Sequence, residues 1–315
     1  MNNQLKELLQ KMDKSQLIEC ILSINNNSPK NVRENSLIYS LRKFHNNIKS
    51  TLITNIKKYY SIETNLNKFS LLDIAVGRGG DLKKWEFAKI NNVTGFDASY
   101  ESIYSTDPNN PGAIERLKNN KLNKNFKVKY FVGDATSGTI KFPYQFDFVS
   151  CQFALHYFFK DEKSIRNVLK LVSNSLKKGG YFYGTTVDSE RLLKLLGNNQ
   201  KIENKYYTIE KKFKKNESNP FGKEYLFKLN DTIYFDSLEE YSKEYLVNFD
   251  LLNKLASEYS LKPVYIDFFN DFFMTSSWAI AFNDLLEYPS FQKYKLSKEE
   301  LEITSLYKLF VFKKY

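Results

Sequence analysis

The residues best placed to do chemistry cluster around a glycine turn. Asp73 lies in the apolar run Leu71-Leu72-Asp73-Ile74-Ala75-Val76, and Gly77-Arg78-Gly79-Gly80-Asp81 follows. Asp97 closes a second run, Val93-Thr94-Gly95-Phe96-Asp97, 24 residues after Asp73. Glycines after a strand let backbone N–H groups approach a ligand, and a carboxylate about 20 residues on can accept from a ribose diol. The dinucleotide pattern needs a third glycine, but Asp81 and Leu82 follow Gly80. An acid before the loop and a second after the next strand suit S-adenosylmethionine (SAM) better than NAD. Asp134 ends the run Lys127–Gly133 and can accept from an adenine amino group or cap a short turn. Gln152, His156 and Tyr157 follow the buried run Phe146–Cys151, at the sheet edge where open α/β sheets bind ligands. A lone histidine after a strand is more often structural than catalytic.

Elements that position these residues follow from periodicity. Leu37, Leu41, Phe44, Ile48, Leu52 and Ile56 predict a helix over 35–60, with His45 and Lys49 on its polar side. Short helices are expected from Leu82 and after Asp97, and a longer one over 161–176, capped by Lys177-Lys178-Gly179-Gly180. A strand over 181–186 completes a strand–helix alternation from 71 to 186, the pattern of a doubly wound, mostly parallel sheet. From 203 to 236 the period becomes two. Strands over 205–213 and 223–235 joined through Asn219-Pro220-Phe221-Gly222 predict an inserted β-hairpin lid. A helix over 250–259, a strand over 262–268, a helical region over 270–287 and a terminal strand over 304–312 follow. Two amphipathic segments occupy 1–25. The expected organisation is an N-terminal helical extension, 1–32, and one domain, 33–315, with the lid at 203–240.

The 315 residues carry a formal charge of +11, which favours a polyanionic partner such as nucleic acid. No apolar run reaches the roughly 18 residues that would span a membrane, and the N-terminus has no signal-peptide core, so no membrane role and an intracellular site are expected. Cys20 and Cys151 have no metal-ligand spacing, so no metal is expected.

Together these motifs resemble the mRNA cap (guanine-N7) methyltransferases, from about residue 33 to the C-terminus. Arg42-Lys43-Phe44-His45-Asn46-Asn47-Ile48-Lys49-Ser50 is similar to the family's R-N-F-N-N-W-x-K-S helix. Asp73 to Trp85 is similar to D-L-G-C-G-K-G-G-D-L-x-K-W, and Ser150 to Tyr157 to S-C-Q-F-x-x-H-Y. Gly179 to Thr186, Pro220-Phe221-Gly222, Glu244 to Leu252 and Thr304 to Phe312 match later motifs. The resemblance implies a Rossmann-like SAM-dependent methyltransferase fold with an antiparallel terminal strand, and methyl transfer from SAM to N7 of a GpppN cap, leaving S-adenosylhomocysteine. It assigns Lys49, Asp73, Ala75, Gly77, Asp97, Asp134, Gln152 and Tyr157 to the donor. To the cap guanine it assigns His45, His156, Tyr157, Pro220, Glu244 and Tyr307, acting by position and electrostatics without a general base. Arg78, Lys211, Lys212, Lys214 and Lys215 are expected at the triphosphate and RNA backbone. Partners would be 5′-capped RNA and triphosphatase and guanylyltransferase activities, with a nuclear site for a cellular enzyme and a cytoplasmic one for a viral enzyme.

Three positions depart from the family pattern: His45 for Asn, Ala75 for Gly and Val76 for Cys. Ala75 is expected to keep a backbone that avoids positive φ. The competing readings are a methyltransferase of another nucleobase and a non-catalytic subunit of a capping complex. The first leaves Glu244 and Tyr307 unexplained, and the second leaves Asp73, Asp97, Asp134 and Gln152 unexplained.

Overall fold

The computed structural model of the chain describes residues 36–214, 217–230, 241–269 and 296–315. The expected segments at 1–25 and 270–287, and Lys215, lie outside the described residues.

The chain enters through a long helix, α1 (Tyr39–Thr64), which buries Leu41, Phe44, Ile48, Leu52, Ile56 and Tyr60 along one stripe. Helical spacing of these apolar residues makes that stripe continuous, so packing rather than intrinsic propensity holds the helix. Asn65, in the left-handed region, ends it. Strands and helices then alternate: β1 (Ser70–Ile74), α2 (Leu82–Phe87), β2 (Asn92–Asp97), α3 (Tyr100–Tyr104), α4 (Ala113–Lys118), β3 (Lys127–Val132), β4 (Phe146–Gln152), α5 (Leu155–Phe158), α6 (Glu162–Ser175), β5 (Leu176–Val187) and α7 (Ser189–Leu196). After a small sheet come α8 (Phe249–Ser257), β10 (Leu261–Phe268), α9 (Lys298–Ser305) and β11 (Tyr307–Lys314).

Seven strands form one sheet in the order β10-β11-β5-β4-β1-β2-β3. Strands β5, β4, β1, β2 and β3 run parallel, and β11 is antiparallel to both β5 and β10. The doubly wound, mostly parallel sheet with an antiparallel terminal strand is therefore as expected. Phe146 to Cys151 of β4 are all buried, as befits a parallel strand covered on both faces. At Gly184 of β5 a Cβ would lie 1.8 Å from the Cys151 carbonyl oxygen, so only glycine lets β4 and β5 pair so closely.

The amino ends of the central strands are tied by Asp147. Its Oδ2 accepts from the Ser70 N–H at 2.8 Å and hydroxyl at 2.9 Å; its Oδ1 accepts from Tyr60 at 3.2 Å and Lys177 at 2.8 Å. This one buried carboxylate joins α1, β1, β4 and β5.

Three element expectations need correction. Lys177–Gly180 opens β5 instead of capping α6, because α6 ends at Ser175 and Lys177 is drawn to Asp147. Thr304 and Ser305 end α9 instead of starting the last strand, because Ser297 and Glu300 form a capping box that nucleates a helix there. The expected antiparallel pair is present as the two inner strands of a larger sheet. That sheet has four antiparallel strands, β6 (Lys201–Glu203), β7 (Tyr207–Lys211), β8 (Glu224–Leu229) and β9 (Ser242–Tyr245), in that order. The two outer strands have only three and four residues, too few for alternation to reveal.

Candidate active site

At the carboxyl ends of β1, β2, β3 and β4 a cavity of about 700 Å³ opens. Its size suits a small-molecule ligand. Lys49, Asp73, Ala75, Gly77, Asp97, Asp134, Gln152 and Tyr157, all eight expected donor-side residues, line it.

The glycine loop is shaped by backbone hydrogen bonds. Val76 N–H donates to the Phe96 carbonyl at 3.0 Å, and Gly77 N–H donates to Asp97 Oδ2 at 2.8 Å. To reach both, the chain must reverse at Ala75, which adopts φ +61°. The expectation that Ala75 avoids positive φ is thus wrong: the two hydrogen bonds outweigh the steric cost of about 1–2 kcal/mol for a left-handed alanine. Gly77, at φ +54°, takes the next such turn. Asp97 also accepts from Ser99 N–H at 2.9 Å, so its carboxylate is fixed from two sides. Asp134 caps a 3₁₀ turn, Ala135–Ser137, accepting from Thr136 N–H and hydroxyl at 2.7 Å each. Its capping role and its place in the cavity wall coexist. Gln152 is oriented by Thr185, whose hydroxyl donates to Oε1 at 3.0 Å.

Charge inside the cavity is uneven. Asp81 binds Lys49 at 2.6 Å and Lys84 at 2.8 Å. Burial alone would raise Asp81, but the two ammonium groups prevail and hold it at about 2. Asp73 has no such partner. Burial, and then the neighbouring negative Asp81, push its carboxyl well above the usual range. Its Oδ1 is fully buried and meets no hydrogen-bond donor among the described residues. A buried carboxylate oxygen without a donor is expensive unless a ligand supplies one. Lys49 and the unpartnered Asp73 Oδ1, both in the cavity wall, fit a zwitterionic amino-acid end, and Asp97 and Asp134 fit a nucleoside.

A cluster of buried polar side chains adjoins this cavity through α5. His156 and Glu244 are both buried, with His156 Nε2 3.7 Å from Glu244 Oε1. Burial lowers the His156 pKa against the opposing pull of Glu244, so the imidazole is neutral. Its Nδ1 lies 3.4 Å from the Thr186 hydroxyl, and its Nε2 has no hydrogen-bond partner among the described residues. Tyr157 packs edge-on against His156 at 4.3 Å, and its hydroxyl meets Ser242 at 2.9 Å, joining α5 to β9. Burial and then Glu244 push the Tyr157 hydroxyl up to about 12. Beside it, Tyr307 stacks on Phe269 at 5.5 Å and meets the edges of His45 at 4.9 Å and Phe153 at 5.2 Å. His45 bonds Thr304 at 3.2 Å, and burial followed by the Lys49 charge lower its pKa to about 3.

The structure therefore brings together His45, His156, Tyr157, Glu244 and Tyr307. Pro220 is exposed on the loop between β7 and β8. Arg78 is held by Glu101 at 2.6 Å and the Asn110 carbonyl, and Lys212 by Glu210, so these two cations are neutralised within the chain. Sequence reasoning passed over Phe153. It lines the cavity, stacks on His45 at 5.5 Å and sits at φ +55°, an uncommon conformation for a bulky residue. Its place within the Gln152-to-Tyr157 motif was the available signal. Asp81, which holds the Lys49 ammonium at 2.6 Å, was also passed over.

A family model described as mRNA (guanine-N(7))-methyltransferase domain matches residues 9–315. An mRNA cap guanine-N(7) methyltransferase of Lodderomyces elongisporus is 33% identical, over 90% of this chain and 54% of its own length. The chain thus spans about half of that relative. Counterparts from Oryza sativa and Arabidopsis thaliana are each 32% identical; the matches cover 93% of this chain and 79% of the rice protein, and 90% and 76% for Arabidopsis. Among solved structures, a SAM-dependent methyltransferase from Clostridium acetobutylicum aligns with TM-score 0.51 at 17% identity, over 84% of this chain and 91% of that one, a likeness of fold.

Proposed function

The chain belongs to the mRNA (guanine-N7)-methyltransferase family, and from that premise we propose that its cavity and the adjoining His156–Glu244 cluster together transfer a methyl group from SAM to N7 of the guanine in a 5′ GpppN cap. The observation that carries the reading is one short segment that reaches both the cavity and the buried His156–Glu244 pair. Gln152 faces the donor cavity, and His156, four residues on, faces Glu244.

SAM, when bound, supplies a methyl group already activated on a sulfonium. Asp73 Oδ1 would accept from its ammonium, and Lys49, held on Asp81, would take its carboxylate. Asp97 would receive the ribose diol and Asp134 the adenine amino group. On the acceptor side, guanine presents N1–H and a 2-amino group on one edge and a bare N7 on the other. Glu244 would accept from the first edge, and its negative charge would favour the positive charge that develops on the purine. His156, neutral and with a free Nε2, would orient the base, with Tyr157 and Tyr307 bounding it. Because N7 carries a lone pair and no proton, no general base is required. What these residues supply is placement, an effect that can reach about 7–11 kcal/mol. Triphosphatase and guanylyltransferase chemistry must generate the GpppN end, so enzymes of those classes are the expected capping partners.

The test is incubation with labelled SAM and GpppG-capped RNA, then nuclease digestion and chromatography. Label in m7GpppG is expected; label in ribose 2′-O or internal adenosine alone overturns the reading. Glu244→Ala should abolish turnover while calorimetry still detects SAM binding. Unchanged turnover would remove Glu244 from the site.

A further inference from the structure

Glu244 stands on a four-residue strand at the end of the small sheet, a weak mount for a residue that has to meet a base edge. Its partner is directly across the ladder: Glu244 and Tyr225 are paired in the β8–β9 register. Tyr225 is 1% exposed, and its hydroxyl donates to Glu244 Oε2 at 2.7 Å. The other oxygen, Oε1, is the one that faces His156. Burial, and then the Glu244 charge, push the Tyr225 hydroxyl well above its usual range, so it remains a donor at every working pH.

We propose that Tyr225 is a positioning residue that sets guanine selectivity. Its hydroxyl occupies Oε2 and leaves Oε1 as the acceptor turned toward the base. This rests on the reading of Glu244 as the guanine acceptor. A charge-assisted hydrogen bond across a rigid ladder pair fixes both the rotamer and the roll of the carboxylate. Without it the carboxylate can swing toward the His156 Nε2, 3.7 Å away, and spend its charge inside the protein. The base would then lose its fixed acceptor while the donor cavity, lined by other residues, stays intact.

The experiment compares wild type and Tyr225→Phe on GpppG and on the inosine analogue IpppG, which lacks the 2-amino group. Expected for Tyr225→Phe is a KM for GpppG raised about tenfold, with kcat within twofold and SAM affinity unchanged. The preference for GpppG over IpppG should shrink by a similar factor. A general loss of fold would instead weaken SAM binding and lower kcat. In a Glu244→Gln background, adding Tyr225→Phe should change KM less than twofold, because the tyrosine acts through the carboxylate. Unchanged KM and unchanged GpppG preference in Tyr225→Phe, or full additivity of the two substitutions, overturns the proposal. Wild-type protein without activity on GpppG would instead overturn the function reading itself, so the two failures are distinguishable.

Discussion

Two buried aspartates on neighbouring strands have opposite surroundings. Asp147, at the amino end of β4, accepts from four donors on Ser70, Tyr60 and Lys177. Asp73, near the carboxyl end of β1, keeps an oxygen that meets no donor among the described residues and has Asp81 as a like-charged neighbour. At one edge of the sheet the polar groups are satisfied within the chain. At the other, one carboxylate oxygen in the cavity wall is not satisfied by the described residues. The two ends of the central strands thus differ: one ties the strands together, and the other is where the proposed function places the chemistry.

The sharpest way to break this comparison is to remove each carboxylate. Asp147→Ala should lower stability by about 3 kcal/mol, since it strands Lys177, the buried Tyr60 hydroxyl and both Ser70 donors. Urea unfolding checks it, and SAM affinity of the folded fraction should not change. Asp73→Asn should do the reverse, weakening SAM about a hundredfold by calorimetry without loss of stability. Because the folded pKa of Asp73 is raised, its charge opposes folding once pH exceeds the unfolded value near 4. The Asn variant should therefore gain stability relative to wild type above about pH 4 and gain none below it. A stability loss at pH 7 would show Asp73 to be structural after all.

Histidines sharpen the same contrast, since both lie at the ligand edge and the chain has no others. The folded pKa of His45 is about 3, below the unfolded value near 6.5, so acid favours the unfolded chain. Stability should fall as pH drops from about 6.5 toward 3, by up to about 1.4 kcal/mol per pH unit for His45 alone. His45→Gln should flatten that slope in unfolding curves taken at pH 4 to 7. An equal slope in the variant would mean His45 stays neutral for another reason or charges without penalty. The smallest effect is expected at the strained turn: Ala75→Gly should raise the urea midpoint by the equivalent of about 1 kcal/mol, because glycine adopts positive φ without the steric cost.

Much of this molecule was legible in its residues. The alternation from β1 to β5 was readable because parallel strands are buried on both faces and stand as apolar runs between helices. The acids of the cavity wall were readable because they sit at strand ends, where chain order and space agree. Glu244 was different. It lies 88 residues after His156 and is delivered by a strand too short to show a period, so only the family resemblance pointed to it. Ala75 misled and Phe153 went unnoticed for a common reason: their conformations are set by local backbone hydrogen bonds, not by their side-chain preferences. Val76 N–H must reach Phe96, and Phe153 N–H must reach the Thr185 carbonyl, at 2.9 Å. The charge of Arg78 suggested phosphate, but Glu101, 23 residues away in sequence, had already claimed it.

The five residues from Gln152 to His156 have one further consequence. They carry a wall of the cavity and the histidine that faces Glu244 on a single uninterrupted piece of backbone, whereas Glu244 and Tyr225 arrive on the separate small sheet. Under the proposed function, the residues that meet the base and the segment that sets the transfer distance therefore stand on separate pieces of the fold. An engineer who exchanges the small sheet to seek a different purine would leave that one turn of chain in place.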